Sequence, residues 1–423
     1  MAYTGATTGY AAGAETNTSA VDYALETTYN QPPTGAYQAL RYTDCSLAVN
    51  ETESQPDEIN DVPEMAQSVL TGRTTQGSIS GILSVLTFED MLAGVMTSDW
   101  QGAGATMSNS SGSDTLYSHD GGFMAGVDGL SVSDVDAAKK FPASGSLVIS
   151  DPDKGFVINV KYTKIDTQGV PGKAVFVFGS GALSFAAAPL KKAYGLSETG
   201  AFSLGPNSTY SVPDIINGKI GKTFTFRKAL SGKWELYTGT MINQVQISLQ
   251  KGQPAAISVD LVGSDLTLSD TDNAASVTPR TATPLIDTVE GFLGCSIFGN
   301  APSGCIQSAT ITLSRDGSGQ DTGMGHVGAC GVRLGSFKAA MEITYLFRDY
   351  KQFTDWAASK TGLVTVGVQG SDGVGYQFAV LNGIIRNPKT PISGKNQTVV
   401  ATVSITANPV PGGGTFAITR VSN

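Results

Sequence analysis

Two stretches late in this chain of 423 residues echo two stretches early in it. Such a duplication constrains the fold more than any single motif, because it calls for two copies of one supersecondary unit. In the first pair, Ile82, Ser84, Leu86, Phe88 and Asp90 correspond to Met341, Ile343, Tyr345, Phe347 and Asp349, at a constant spacing of 259 (341 − 82). Mostly apolar residues at every second position predict a half-buried strand over Ile82 to Phe88 and another over Met341 to Phe347. Asp90 and Asp349 then open helical segments. Met91, Leu92, Val95 and Met96 in one, and Tyr350, Phe353, Trp356 and Ala357 in the other, recur at helical spacing, with an acidic residue near the end where the helix dipole favours it.

In the second pair, Gly239, Asn243, Lys251, Val259 and Leu261 match Gly383, Asn387, Lys395, Val403 and Ile405 at a spacing of 144 (383 − 239). Val245, Ile247 and Leu249 lead into the turn-forming Lys251-Gly252-Gln253-Pro254, and Ile257, Val259 and Leu261 alternate back. Ser393-Gly394-Lys395-Asn396 takes the same turn in the second copy, so a hairpin is predicted twice. The two spacings differ by 115 (259 − 144), so the first copy holds about that many extra residues between Asp90 and Gly239. They read as a small β module over residues 102–219. Strands are expected at Leu147 to Ile149, Phe156 to Tyr162 and Ala174 to Phe178, separated by turns at residues 151–155 and 169–172.

This divides the chain into an arm (residues 1–40), a first domain (41–101 and 220–268) interrupted by the inserted module (102–219), a Thr/Asp/Pro-rich linker (269–284) and a second domain (285–423). Two long Gly- and polar-rich segments, residues 51–77 and 315–335, lie at corresponding points of the two copies. Each follows a short strand (Ser46 to Val49, Ala309 to Leu313), and a twice-used loop of that length points to function.

Charged residues make up only 15% of the chain and Gly is abundant, a composition of short strands and many turns. The net charge of −9 removes the counterion-release attraction that drives ordinary nucleic-acid binding. A wall with few cations would instead let a polyanion slide. The N-terminus, Met-Ala-Tyr-Thr-Gly, has neither a basic nor an apolar leader region, and no apolar run approaches a membrane span, so a cytosolic origin is expected. The Asn-x-Ser/Thr sequences at Asn17, Asn50, Asn109, Asn207 and Asn396 then read as by-products of Ser/Thr richness.

Little of the sequence has the pattern of a chemical site. His119 and His326 are the two histidines available as neutral-pH bases, and no Gly-x-Ser-x-Gly elbow occurs. Cys295, Cys305, His326 and Cys330 have the atom types of a zinc site without its short paired spacing, and the three cysteines among them, with Cys45, read as free buried thiols. Asp151-x-Asp153 and Asp270-x-Asp272-Asn273 lack the distal Glu of a calcium loop and read as turn-capping groups. Lys139-Lys140 and Lys191-Lys192 read as a solvated face. No catalytic, cofactor or metal residue is assigned.

The chain resembles the tail tube proteins of siphophages. The resemblance lies in Thr43-Asp44-Cys45-Ser46-Leu47 followed by Glu51-Thr52-Glu53-Ser54, in Gly77-Ser78-Ile79-Ser80-Gly81, and in the strand-to-helix run ending at Asp99-Trp100. It continues through Phe224-Thr225-Phe226, Tyr237 to Asn243, Gly291-Phe292-Leu293 and Phe347-Arg348-Asp349-Tyr350, and it covers most of the chain except the arm. It implies a mainly β fold: two tandem tail-tube-type β-sandwich or barrel domains, each with a flanking helix, plus the inserted β subdomain. Six such domains per ring join hairpins into an inner barrel in that family, so two per chain imply trimeric rings of pseudo-sixfold symmetry, stacked into the conduit for genome ejection.

The strands of that barrel are expected at Val245, Ile247 and Leu249, at Ile257, Val259 and Leu261, and at Val399, Ala401, Val403 and Ile405. Contacts between rings are expected from the loop residues Glu51, Glu53, Asp57, Glu58, Asp61 and Glu64, and from Arg315, Asp316, Asp321 and His326. The implied partners are further copies of the chain, a tape measure protein, a tail terminator, distal tail proteins and double-stranded DNA in passage, with no cofactor and no membrane. The implied location is the virion tail, assembled in the host bacterial cytoplasm. The alternative is a surface-binding β-rich virion protein or adhesin that uses the inserted module.

Overall fold

A computed structural model describes residues 14–57, 59, 61, 65–102, 104–109, 111–118, 127–195, 200–392 and 394–422. The chain is mainly β, with four short α-helices among the described residues. One continuous antiparallel sheet runs in the order Ala48–Ser54, Val69–Ile82, Ala256–Gly263, Lys233–Gln250, Ile306–Asp316, Ser336–Leu346, Val400–Asn408 and Val374–Lys389. The first four strands come from the early half of the chain and the last four from the late half. Each half uses its strands in the same order.

The register also repeats. Ile79 stands between Cys45 and Val259, and Ile343 stands between Ala309 and Val403. The spacing along this strand is therefore 264 (343 − 79) rather than 259. The early strand is Val69–Ile82, and Leu83 to Phe88 form the turn into the helix Glu89–Met96 instead of the strand expected there. Only Ile79 on the buried face of Gln76 to Ile82 is apolar and large, so its strand character comes from pairing with Ala256–Gly263, which periodicity does not register.

A second layer covers the buried face of each half. The Lys233–Gln250 strand continues past the first sheet to pair with Phe224–Leu230 and Asp265–Ser269, and Val374–Lys389 does the same with Thr361–Gln369 and Phe416–Ser422. Register shifts mark the corners, as expected where one strand serves two sheets. Phe292–Ile297 extends the late layer, and Ala20–Leu25 extends the early one with Val21 and Tyr23 in the core. Residues 20–25, expected within the arm, are thus a packed strand whose six residues are too few to stand out among Thr and Gly.

Ala36–Ala39 pairs in parallel with Ser276–Thr278 in the segment expected to be a linker. Arg227 pins both segments. Wholly buried, it donates to Asp22 at 2.6 and 2.8 Å and to Asp272, with its plane 3.9 Å from the Tyr37 ring centre and 4.4 Å from that of Trp234. A guanidinium held this way keeps its charge while apolar rings cover its faces.

Between the helix Glu89–Met96 and the strand Phe224–Leu230 the chain makes two separate sheets. One orders Phe156–Tyr162, Gly145–Asp151, Thr209–Val212 and Ala105–Ser108; the other orders Lys164–Asp166, Ala174–Gly179, Asp128–Val132, Thr115–Ser118 and Gly200–Ser203. They share a core of their own in which Phe176 meets Phe141 and Tyr162 edge-on at 5.2 Å. Val148 and Val157 pack outward against Leu381, Val410 and Ala417 of the late half.

Candidate assembly surface

The eight-stranded sheet has unlike faces because its strands alternate. Val245, Ile247, Leu249, Ile257, Val259, Leu261, Ala401, Val403 and Ile405, expected from sequence to mark a barrel wall, all lie in this sheet with their side chains buried in the core. Val399 precedes the Val400–Asn408 strand and is half-buried. The opposite face carries residues such as Gln246, Ser258, Thr310, Thr312 and Ser404, whose exposure runs from half-buried to open. Its charges include Asp260, Glu342, Lys338 and Arg386, and burial pushes the Asp260 carboxyl up.

The two halves meet where Lys233–Gln250 pairs with Ile306–Asp316, from Gln244 opposite Ser314 to Gln250 opposite Ser308. The helix Glu89–Met96 packs across this junction against both strands, and Glu89 and Met91 through Met96 are buried. Arg315 closes its C-terminal end. Its Nε donates to the Val95 carbonyl at 2.8 Å and its Nη2 to Thr97 Oγ1 at 2.7 Å, with the Phe337 ring centre 5.2 Å away. Burial pushes this guanidinium down to about 10, yet the end of a helix dipole is a site that favours a cation. The sequence points Arg315 to a stacking loop; its side chain is instead inside the chain, because Ser-Arg-Asp-Gly has the composition of a turn although the strand continues to Asp316.

The other end of the same helix is tied to the late half. Arg420 donates to both carboxylate oxygens of Glu89, Tyr376 donates to Glu89 Oε1 at 2.9 Å, and the Arg420 guanidinium lies 4.5 Å from the Trp100 ring centre. Asp214 accepts from the Arg420 and Gly104 backbone N–H groups at 2.6 and 3.0 Å, and its carboxyl is pushed up by burial.

Both margins of the eight-stranded sheet are open among the described residues. Asp44–Cys45 and Ala48–Ser54 pair on one side with Val69–Ile82, and Arg386 to Lys389 pair on one side with Val400–Asn408. Near the second margin the helix Lys351–Ala357 buries only Gln352 and Asp355, leaving Tyr350 65% and Trp356 45% exposed. A family model described as phage tail tube protein matches residues 16–407.

The chain belongs to the phage tail tube protein family.

A search of curated proteins finds no match to it. As a tail tube protein it is a structural component of the virion tail.

The two long loops of this tail tube protein are hairpins. Glu51 and Glu53 lie on the edge strand, where Glu51 pairs with Arg73 at 2.9 Å, and Asp57 and Asp61 lie in an exposed tip with Ile59 and Met65. Glu58 and Glu64 fall outside the described residues. In the later hairpin Asp316 pairs with Lys338 at 2.7 Å and Asp321 with Arg333 at 3.1 Å, while His326 is exposed. This hairpin folds back on the early half: Gln320 Nε2 donates to the Gly263 carbonyl at 2.6 Å and the Arg73 N–H to the Val327 carbonyl at 2.7 Å.

The remaining polar constellations have structural partners. Asp151 accepts from the Asp153, Lys154 and Gly205 backbone and from the Tyr194 hydroxyl, and Asp270 pairs with Lys233. Cys295 is buried, which pushes its thiol up to about 12, whereas Cys305 and Cys330 are exposed. Among the described residues no three His, Cys, Asp or Glu side chains gather as metal ligands, and no helix is long and apolar enough to cross a membrane. His119 lies outside the described residues. Neither the open margins nor the helix-capping arginine is evident from sequence periodicity; the constant spacing of the Asp44 to Thr52 strand from Ser308 to Asp316 is the signal that points to them.

Proposed function

We propose that this tail tube protein is the ring subunit of a siphophage tail, with three copies closing a pseudo-sixfold ring and rings stacking into the conduit for genome ejection. One observation carries the reading. The junction between Gln244–Gln250 and Ser308–Ser314 lies within the chain, and the counterparts of its two strands are the open margins. A chain that makes a head-to-tail contact with itself once, and presents the same two halves unsatisfied, propagates that contact to further copies, and a rotation that closes gives a ring. Eight strands from each of three copies would form one barrel without edges.

The core lies on one side of the sheet, so the Ser, Thr and Gln side chains of the opposite face would line the lumen. With few cations there and a net charge of −9, the wall offers DNA little to grip. The hairpin tips at residues 55–68 and 322–330 serve contacts between rings, and the tape measure, terminator and distal tail proteins are the expected neighbours along and at the ends of the tube. The role is mechanical, without catalysis or cofactor, and assembly takes place in the host cytoplasm. Electron microscopy of the purified full chain tests this. Hollow tubes with threefold top views are expected; rings of six chains, or dispersed single molecules at all concentrations, would overturn it.

A further inference from the structure

Resting on this ring-forming reading, we propose that the ring closes through a junction that copies the internal one in its backbone and reverses its charge, with Glu51 of one copy meeting Lys360 of the next, at the end of the helix Lys351–Ala357, the second of the equivalent pair whose first is Glu89–Met96. The two helix ends are equivalent. Thr97 and Ser359 both take the left-handed conformation, at φ 46° and 49°, and the returning bonds Ser98 N–H to Ala93 carbonyl and Lys360 N–H to Asp355 carbonyl follow one pattern. The strand that meets the helix is equivalent too. Arg315 lies opposite Phe337 and Glu51 lies opposite Arg73, each at the strand spacing of 264 (315 − 51 and 337 − 73).

The arginine that closes the first helix therefore has an acid as its counterpart at the open margin. The chain's own Ile306–Asp316 strand is already committed to the first helix, so the second can be covered in this way only by another copy. Its surface is built for a cover: Tyr350 and Trp356 are 65% and 45% exposed, while their counterparts Phe88 and Gly94 are buried.

A carboxylate at a helix C-terminus is disfavoured unless a cation stands between. Lys360 supplies it. It has no carboxylate partner among the described residues and lies 5.9 Å from the Phe298 ring centre. The reversal also gives discrimination. A stray Ile306–Asp316 strand docking at this place would bring Arg315 against Lys360, and that like-charge contact rejects the wrong register while Glu51 accepts the right one.

The test uses the full-length chain with Glu51→Lys, Lys360→Glu and the two combined, comparing by sedimentation and electron microscopy the protein concentration at which rings form. Each single reversal is expected to raise that concentration about tenfold or more, and the double reversal to bring it back toward the unaltered value. Circular dichroism melts establish that each variant is folded, and if one is not, the other decides, because the two residues lie on different surfaces of the chain. Rings from the unaltered chain that neither reversal affects, or a double reversal no better than the singles, would overturn this proposal alone. An unaltered chain that never forms rings would overturn the ring reading as well.

Discussion

Arg315 shows how a single side chain can join two halves of a protein without an opposing carboxylate. Its bond to the Val95 carbonyl satisfies a group that a helix end otherwise leaves without a partner, and the Thr97 hydroxyl accepts its second bond while donating to the Gly218 carbonyl. Arg315→Ala should cost about 2–4 kcal/mol of folding stability, since it leaves a buried carbonyl unsatisfied and opens a cavity beneath Phe337; urea unfolding would measure the loss. A loss below about 0.5 kcal/mol would mean that the bonds contribute nothing net. Size is exchanged between the halves as charge is. A Cβ on Gly94 would come within 3.0 Å of the Phe224 ring, and at the corresponding positions of the late half a tryptophan, Trp356, accompanies a glycine, Gly362. Such compensations are invisible one residue at a time, because Gly94 read alone is only a poor helix former.

At the scale of elements, legibility follows how strongly one face of each segment is apolar. Val245 to Leu249 and Ile257 to Leu261 alternate cleanly, and with the turn-forming residues 251–254 between them that alternation identifies their hairpin. Val69–Ile82 carries no such signal, because serine and glycine fill it and its place is fixed by the strands on either side. Ala20–Leu25 is hidden by its brevity, and the segment from Ser269 to Pro284 has the composition of a linker although Asp272 and Asn273 are held by Arg227. In the hairpin tip that follows Ser54, the described residues Asp57, Ile59, Asp61 and Met65 are exposed. Replacing the tip with a two-residue turn between Ser54 and Val69 should leave a subunit that melts as before and closes rings but does not stack them into tubes; tubes of normal length from the shortened chain would remove the tip from the stacking contact.

At the scale of the whole molecule, the inserted module springs from the early half yet leans on the late one. The Asn159 N–H donates to the Pro411 carbonyl at 3.0 Å, its side chain donates to the Gly413 carbonyl at 3.0 Å, and Ile215–Ile216 pairs with Phe416–Ser422. Gly412 makes that approach feasible: it holds φ at 89°, and a Cβ there would fall 1.7 Å from the Asn159 carbonyl oxygen. Gly412→Ala should therefore loosen the module, lowering stability by about 2 kcal/mol or more and speeding proteolysis within residues 102–219; unchanged cleavage and melting would show that the contact is dispensable.

The pairing of Gln244–Gln250 with Ser308–Ser314 has a consequence for how quickly such an object can be built. Strands tethered in one polypeptide find each other at millimolar effective concentration, whatever the cellular abundance of the protein. In the proposed ring of three, half of the six seams would thus be sealed as each chain folds, and two encounters between separate molecules would bring the ring together where six unfused units would need five.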